Sequence, residues 1–183
     1  MGMTYTTAGS MNYNVLANIL KKAKAIKLGR GAEIGVLYAD TSAYLLNEFP
    51  SLLLHSIDPW LPYEEVPGER NEEQMKTYEN RARNALFKFG ARSQIMKMFS
   101  SEAAPLIPDQ SLDFVFIDAL HTYEAVKEDI ALWYNKVRPE GIFAGHDYSW
   151  DGVKQAVHEF DEANNLTGFY TPVASDIWFF IKE

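Results

Sequence analysis

Short apolar runs alternate with segments of helical period five times along this chain, and that alternation limits the fold more than any other feature. Val15, Leu16, Ile19, Leu20 and Ala23 share one helical face, with Ser10 as the expected cap and Gly29 beyond the end. Ala32-Glu33-Ile34-Gly35-Val36 then reads as a buried strand, and Asp40-Thr41-Ser42 offers caps for a helix bearing Leu45, Leu46 and Phe49. Leu52 to Ile57 is a second strand ending at Asp58-Pro59. A stretch from Trp60 to Arg70 reads as a loop, and a helix follows with Met75, Tyr78, Ala82, Ala85 and Phe89 on its stripe. Ile95 to Met98, Leu112 to Asp118 and Gly141 to Ala144 supply three more strands. Between the last two, Tyr123, Val126, Ile130 and Trp133 mark a helix. A final helix carries Val153, Val157 and Phe160, and two apolar runs, Phe169 to Val173 and Ile177 to Ile181, close the chain with no helix between them.

Strands separated by helices connect through right-handed crossovers, which predicts an α/β fold. The expected form is a doubly wound, mostly parallel, Rossmann-like sheet with helices on both faces. The last two strands should form a C-terminal antiparallel hairpin, with Pro172 confined to an edge or bulge. At 183 residues the chain has the length of a single domain, expected over 1–183. An N-terminal segment and helix would occupy 1–30, and a cofactor-binding core 31–183.

Composition removes several function classes. Cysteine is absent, which excludes a disulfide scaffold, a thiolate nucleophile and a Cys-zinc site. That absence is compatible with a reducing cytoplasm, the expected location. No apolar run approaches the ~20 residues that span a bilayer, so no membrane partner is expected. The formal net charge of −8 repels a phosphate backbone, and the densest positive cluster, Lys21, Lys22, Lys24 and Lys27, falls on the outer face of a helix. No nucleic-acid partner is expected either; a small-molecule partner is, and a homo-oligomer is compatible with the sequence.

In an open parallel sheet, ligands bind beyond the carboxyl ends of the strands. Glu33 and Gly35 end the first strand, Asp58 the second, Asp118 the fourth, and His146 and Asp147 the fifth. Polar turn residues explain one or two of these, but not an acid after four strands of five. Gly35 and Asp58 are 58 − 35 = 23 positions apart, close to the spacing that lets a glycine admit a ligand while an acid takes the ribose hydroxyls. The loop Gly35-Val36-Leu37-Tyr38-Ala39-Asp40 has one glycine and an added acid instead of the three glycines that cradle a pyrophosphate. The expected ligand has a ribose and lacks phosphates, a description that S-adenosylmethionine fits.

These residues carry a family resemblance. Glu33-Ile34-Gly35-Val36-Leu37-Tyr38-Ala39-Asp40-Thr41-Ser42 resembles motif I of class I S-adenosylmethionine-dependent methyltransferases, and Ser56-Ile57-Asp58-Pro59-Trp60 resembles their acidic loop. Ile117-Asp118-Ala119-Leu120-His121-Thr122-Tyr123-Glu124, with Gly141-Ile142-Phe143-Ala144-Gly145-His146-Asp147-Tyr148, is similar to a small-molecule subgroup related to catechol O-methyltransferase. The likeness runs from about Gly31 to the C-terminus. It implies that Glu33 and Gly35 line the methionine end of the cofactor, Ser42 meets its carboxylate, Asp58 its ribose and Ser101 its adenine. Two positions depart from the pattern: Ala39 stands where the family has a glycine, and Glu140 precedes Gly141 in place of Gly-Gly.

In the catechol-type relatives, positions matching Asp118, His146 and Asp147 hold a divalent metal, usually magnesium, that acidifies the acceptor hydroxyl. An imidazole at His146 suits manganese, iron or zinc better, which leaves the metal's identity open. In the alternative, Asp118 holds the cofactor or caps the next helix, while His146 and Asp147 tie down a loop. His121 stands where those relatives keep a basic residue. With a pKa near neutrality it suits proton removal, so His121 and Asp118 are the expected catalytic residues. Trp60, Tyr63, Tyr148 and Trp150 fall in loops at the same end and could wall an acceptor; His55 reads as a core or edge residue and His158 as solvated. The expected function is methyl transfer from S-adenosylmethionine to a small-molecule hydroxyl. The competing readings are a catalytically silent nucleoside-cofactor-binding domain and an NAD-type oxidoreductase.

Overall fold

The computed structural model describes residues 9–22, 28–63, 70–164, 166, 169–171 and 175–183. Its seven strands form one sheet in the order β3-β2-β1-β4-β5-β7-β6. The elements are α1 (Gly9–Lys22), β1 (Arg30–Ile34), α2 (Asp40–Glu48), β2 (Leu53–Ile57), α3 (Glu72–Phe87), β3 (Ser93–Met96) and α4 (Ser100–Ala103). There follow β4 (Leu112–Ile117), α5 (Tyr123–Trp133), β5 (Val137–Gly145), α6 (Asp151–Asn164), β6 (Phe169–Tyr170) and β7 (Trp178–Ile181). Strands β1 to β5 are mutually parallel, and β7 lies antiparallel between β5 and β6. The doubly wound sheet and the terminal hairpin are as expected; β7 additionally joins the hairpin to the parallel core.

Every residue of β4 is buried, as a strand covered on both faces requires. Its side chains alternate between two cores. Phe114 and Phe116 pack with Leu16, Leu45 and Leu86 from α1, α2 and α3, while Val115 and Ile117 pack with Ala103, Ile130 and Val157 from α4, α5 and α6. Sequence order therefore places three helices on each face.

Local details differ from the sequence reading. Helix α1 covers Gly9–Lys22, so Ser10 falls within it. Ala39, in the left-handed region at φ 66°, precedes α2 without any side-chain cap, because Ser42 turns inward and Asp40 and Thr41 are already helical. Strand β3 spans Ser93–Met96, two residues earlier than expected, and the short α4 follows it. Asn71 caps α3 with a reciprocal bond from Gln74. Lys21 and Lys22 are exposed, as a helix's outer face requires, whereas Lys24, Lys27 and Pro172 lie outside the described residues. No helix among the described residues is long and apolar enough to cross a membrane.

Candidate active site

Four residues form a single row along the carboxyl edge of the sheet. The Gly35 N–H donates to Ile57 O, Asp58 to Met96 O, Asp118 to Ile34 O and His146 to Ile117 O, at 2.8–3.2 Å. The parallel ladder thus continues one residue past β1, β2, β4 and β5 and fixes where each polar side chain starts. Above this row opens a cleft of about 710 Å³, within the range of small-molecule and cofactor sites. Glu33, Gly35, Asp58, Ser101, Asp118, His121, His146 and Asp147 all line it. Ser42 does not.

Ser42 is fully buried beneath the cleft. Its hydroxyl donates to Glu33 and lies 2.8 Å from Ser56 Oγ, which faces Glu33 across the β1–β2 register. Thr41, one residue earlier, lines the cleft in its place. Burial pushes the Glu33 carboxyl up to about 8; the Ser42 bond opposes this, and the charges of Asp118 and Asp58 reinforce it.

Asp58 has a second task that sequence reasoning missed. Its Oδ2 accepts the N–H groups of Val36 (3.0 Å) and Leu37 (2.9 Å), and its Oδ1 accepts that of Trp60 (2.7 Å). Burial raises its pKa, while those three bonds pull it down. The carboxylate therefore holds the turn after β1, where Leu37 and Ala39 both have positive φ. Trp60 is buried and donates Nε1–H to Leu37 O at 2.6 Å, so it braces the same turn instead of walling an acceptor.

A cluster of acids and histidines sits where β4 and β5 end. His121 Nε2 lies 2.6 Å from Asp147 Oδ2, and His146 Nδ1 lies 3.0 Å from Asp147 Oδ2 and 3.5 Å from Asp118 Oδ1. Burial alone would lower the His146 pKa, but its two carboxylate partners lift it to about 10. Asp147 is moved the other way: its bonds to His121 and His146 outweigh burial and hold its carboxyl well below the usual range. Asp147 also has positive φ (55°), a strained conformation of the kind found at functional sites. From α1, Asn12 Nδ2 comes within 2.5 Å of His146 Nε2, a contact no local sequence signal could show. Ligand atoms of Asp118, His121 and Asp147 all lie within 4.8 Å of one another, which suits a single cation.

Around this cluster, the Trp150 ring lies against His121 with centroids 4.8 Å apart, and Tyr63 lines the cleft. Tyr148 turns away and pairs with His158 at 2.6 Å, so His158 is not simply solvated. His55 is half-buried on β2, which agrees with its reading as a structural histidine. Asp113 lies in β4 at the opposite end of the sheet, where it accepts the N–H groups of Gly29 and Arg30 and pairs with Arg138.

Comparisons with known proteins bear on the fold and the family. The family model described as a methyltransferase domain matches residues 32–148. No curated protein matches the sequence. Among solved structures, the O-methyltransferase NovP is similar at TM-score 0.73 and 13% identity, covering 93% of this chain and 78% of that one. The precorrin-6y C5,15-methyltransferase from Geobacter metallireducens GS-15 is similar at TM-score 0.64 and 21% identity, covering 93% and 88%. The O-methyltransferase TomG from Streptomyces achromogenes, solved with S-adenosylmethionine, is similar at TM-score 0.62 and 14% identity, covering 93% and 79%. At these identities the likeness establishes the fold, and the family model covers more than half of the chain. The chain therefore belongs to the methyltransferase-domain family and is a class I S-adenosylmethionine-dependent methyltransferase.

Proposed function

We propose that this protein methylates a hydroxyl oxygen of a small-molecule acceptor, with His121 as the proton acceptor. The observation that carries this reading is the 2.6 Å pair of His121 Nε2 and Asp147 Oδ2, facing the cleft at the ends of β4 and β5. A carboxylate held ionised orients the imidazole and stabilises the positive charge it gains on taking the hydroxyl proton. S-adenosylmethionine, when bound, supplies an electrophilic methyl group on its sulfonium. The protein does the rest. Glu33 and Gly35 would flank the methionine end, and Thr41 would take the carboxylate contact that the buried Ser42 cannot make. Asp58 would accept a ribose hydroxyl at the one lone-pair site that its three backbone bonds leave, on Oδ1, and Ser101 would face the adenine. Acids outnumber bases around the cleft, which favours a cationic cofactor over a phosphorylated one.

A second reading places a divalent cation in the same cluster. It is supported by the mutual proximity of Asp118, His121 and Asp147, with His146 alongside. Two carboxylates with imidazole fit magnesium through the oxygens, or manganese through both atom types. Asp118 and Asp147 would hold the ion with the imidazole of His121 or His146, and the ion when bound would acidify the acceptor hydroxyl. Turnover after exhaustive chelation separates the two readings. The first expects methyl transfer to survive the chelator and to fall at least 100-fold in His121→Ala; loss on chelation, reversed by magnesium or manganese, establishes the second. Transfer to amine or carbon acceptors alone, across a panel that includes hydroxyls, overturns both.

A further inference from the structure

On the side of the cleft away from β5, α4 and α5 face each other, and a buried carboxylate there is used by none of the chemistry above. Asp129, on α5, is only 6% exposed yet lines the cleft. Its Oδ1 accepts the hydroxyl of Ser100, at the start of α4. Ser100 Oγ in turn accepts the indole N–H of Trp133 at 2.7 Å. This relay fixes its own hydrogens: the single donor of Ser100 is spent on Asp129, so Ser100 and Asp129 show the cleft acceptors only, beside the hydroxyl of Ser101. Burial of the carboxyl, opposed by the Ser100 bond, raises its pKa to about 6, which leaves it ionised at neutral pH. A carboxylate so enclosed is costly unless further N–H groups reach it. Ile57, Phe99 and Ala125 add apolar surface to the same lining, and Glu128 a second acid. An apolar slot closed by an acceptor fits a planar heterocycle with an amino group on its edge.

We propose that Asp129 selects the base of the cofactor, accepting the exocyclic amine of adenine and excluding a base with a carbonyl at that position. The inference rests on the S-adenosylmethionine reading and adds a residue to it. In a base with a carbonyl there, such as hypoxanthine, one acceptor would face another, oxygen against carboxylate. Sites built around such a donor discriminate strongly against its absence.

The test is calorimetric titration of the intact chain with S-adenosylhomocysteine and S-inosylhomocysteine. The wild-type protein should prefer the adenine compound at least tenfold. Asp129→Asn presents an amide that can donate to a carbonyl, so that preference should fall toward unity or reverse. Equal wild-type affinity for the two compounds overturns the proposal without any variant. So does a proportional loss for both compounds in Asp129→Asn, which would show that Asp129 only packs Ser100 and Trp133. Failure of the wild-type protein to bind either compound overturns the cofactor reading itself, a result distinct from lost selectivity.

Discussion

Gly35 and Asp118 are packed so closely that a Cβ on residue 35 would collide with the Asp118 carbonyl oxygen and the Ala119 Cα. Strands β1 and β4 can end side by side only because this position has no side chain. Gly35 also has φ +87°, a region that side chains rarely adopt. Gly35→Ala should therefore destabilise the fold by about 3 kcal/mol, combining overpacking and backbone strain. Urea unfolding measures this, and a variant as stable as the wild type contradicts the packing at this crossing.

Asp58→Ala should do two things at once. Losing the ribose contact should weaken S-adenosylhomocysteine binding at least tenfold, since bonds to a buried charged group contribute about 1.5–3 kcal/mol. Losing the acceptor for Val36, Leu37 and Trp60 should also lower stability by about 1–3 kcal/mol, because buried N–H groups are left unpaired. Reduced affinity with an unchanged melting temperature would mean that the loop finds other partners.

Glu33 gives a pH dependence of defined sign. Its folded pKa of about 8 lies above the reference of 4.5, so the folded state binds its proton more tightly. Its stabilising contribution is complete below about pH 4.5 and is lost as pH rises toward 8, with a limiting slope of about 1.4 kcal/mol per pH unit. Glu33→Gln removes that titration. The melting temperature of the variant relative to the wild type should therefore rise steadily between pH 5.5 and 8; a flat difference would place the pKa elsewhere.

Glu140 is exposed and has φ 64°, where the subgroup pattern has glycine. Relief of left-handed strain is worth about 1–2 kcal/mol, and the added freedom of the unfolded chain removes about 0.4–1 of that. Glu140→Gly should raise the melting temperature by about 2 °C. At Ala39 (φ 66°) a glycine would also forfeit a fully buried methyl worth about 0.8 kcal/mol, so Ala39→Gly should be close to neutral. Differential scanning calorimetry of the two variants should rank them in that order.

His121→Ala should lower turnover most at low pH, where an unassisted acceptor hydroxyl stays protonated, while cofactor affinity holds within about twofold. An even loss across the pH range would assign His121 to positioning the acceptor instead.

Periodicity and turn residues alone determined the elements of this protein and the row of polar groups at the sheet's edge. A buried parallel strand is mostly apolar, an amphipathic helix repeats every three to four residues, and the loops between them carry Gly35, Asp58, Asp118 and His146. The family resemblance also singled out Ala39 and Glu140, whose positive φ explains why glycine suits those positions. Only the tertiary structure decided which way Ser42 points, because one helical residue's rotation separates a cleft-lining hydroxyl from a buried one. It alone brought Asn12 to His146 and Ser100 to Asp129, pairs 134 and 29 residues apart. Such pairs depend on strand order and on which face of the sheet each helix covers. A local pattern records that a side chain is polar, whereas its partner is set by the packing of elements far away in the chain.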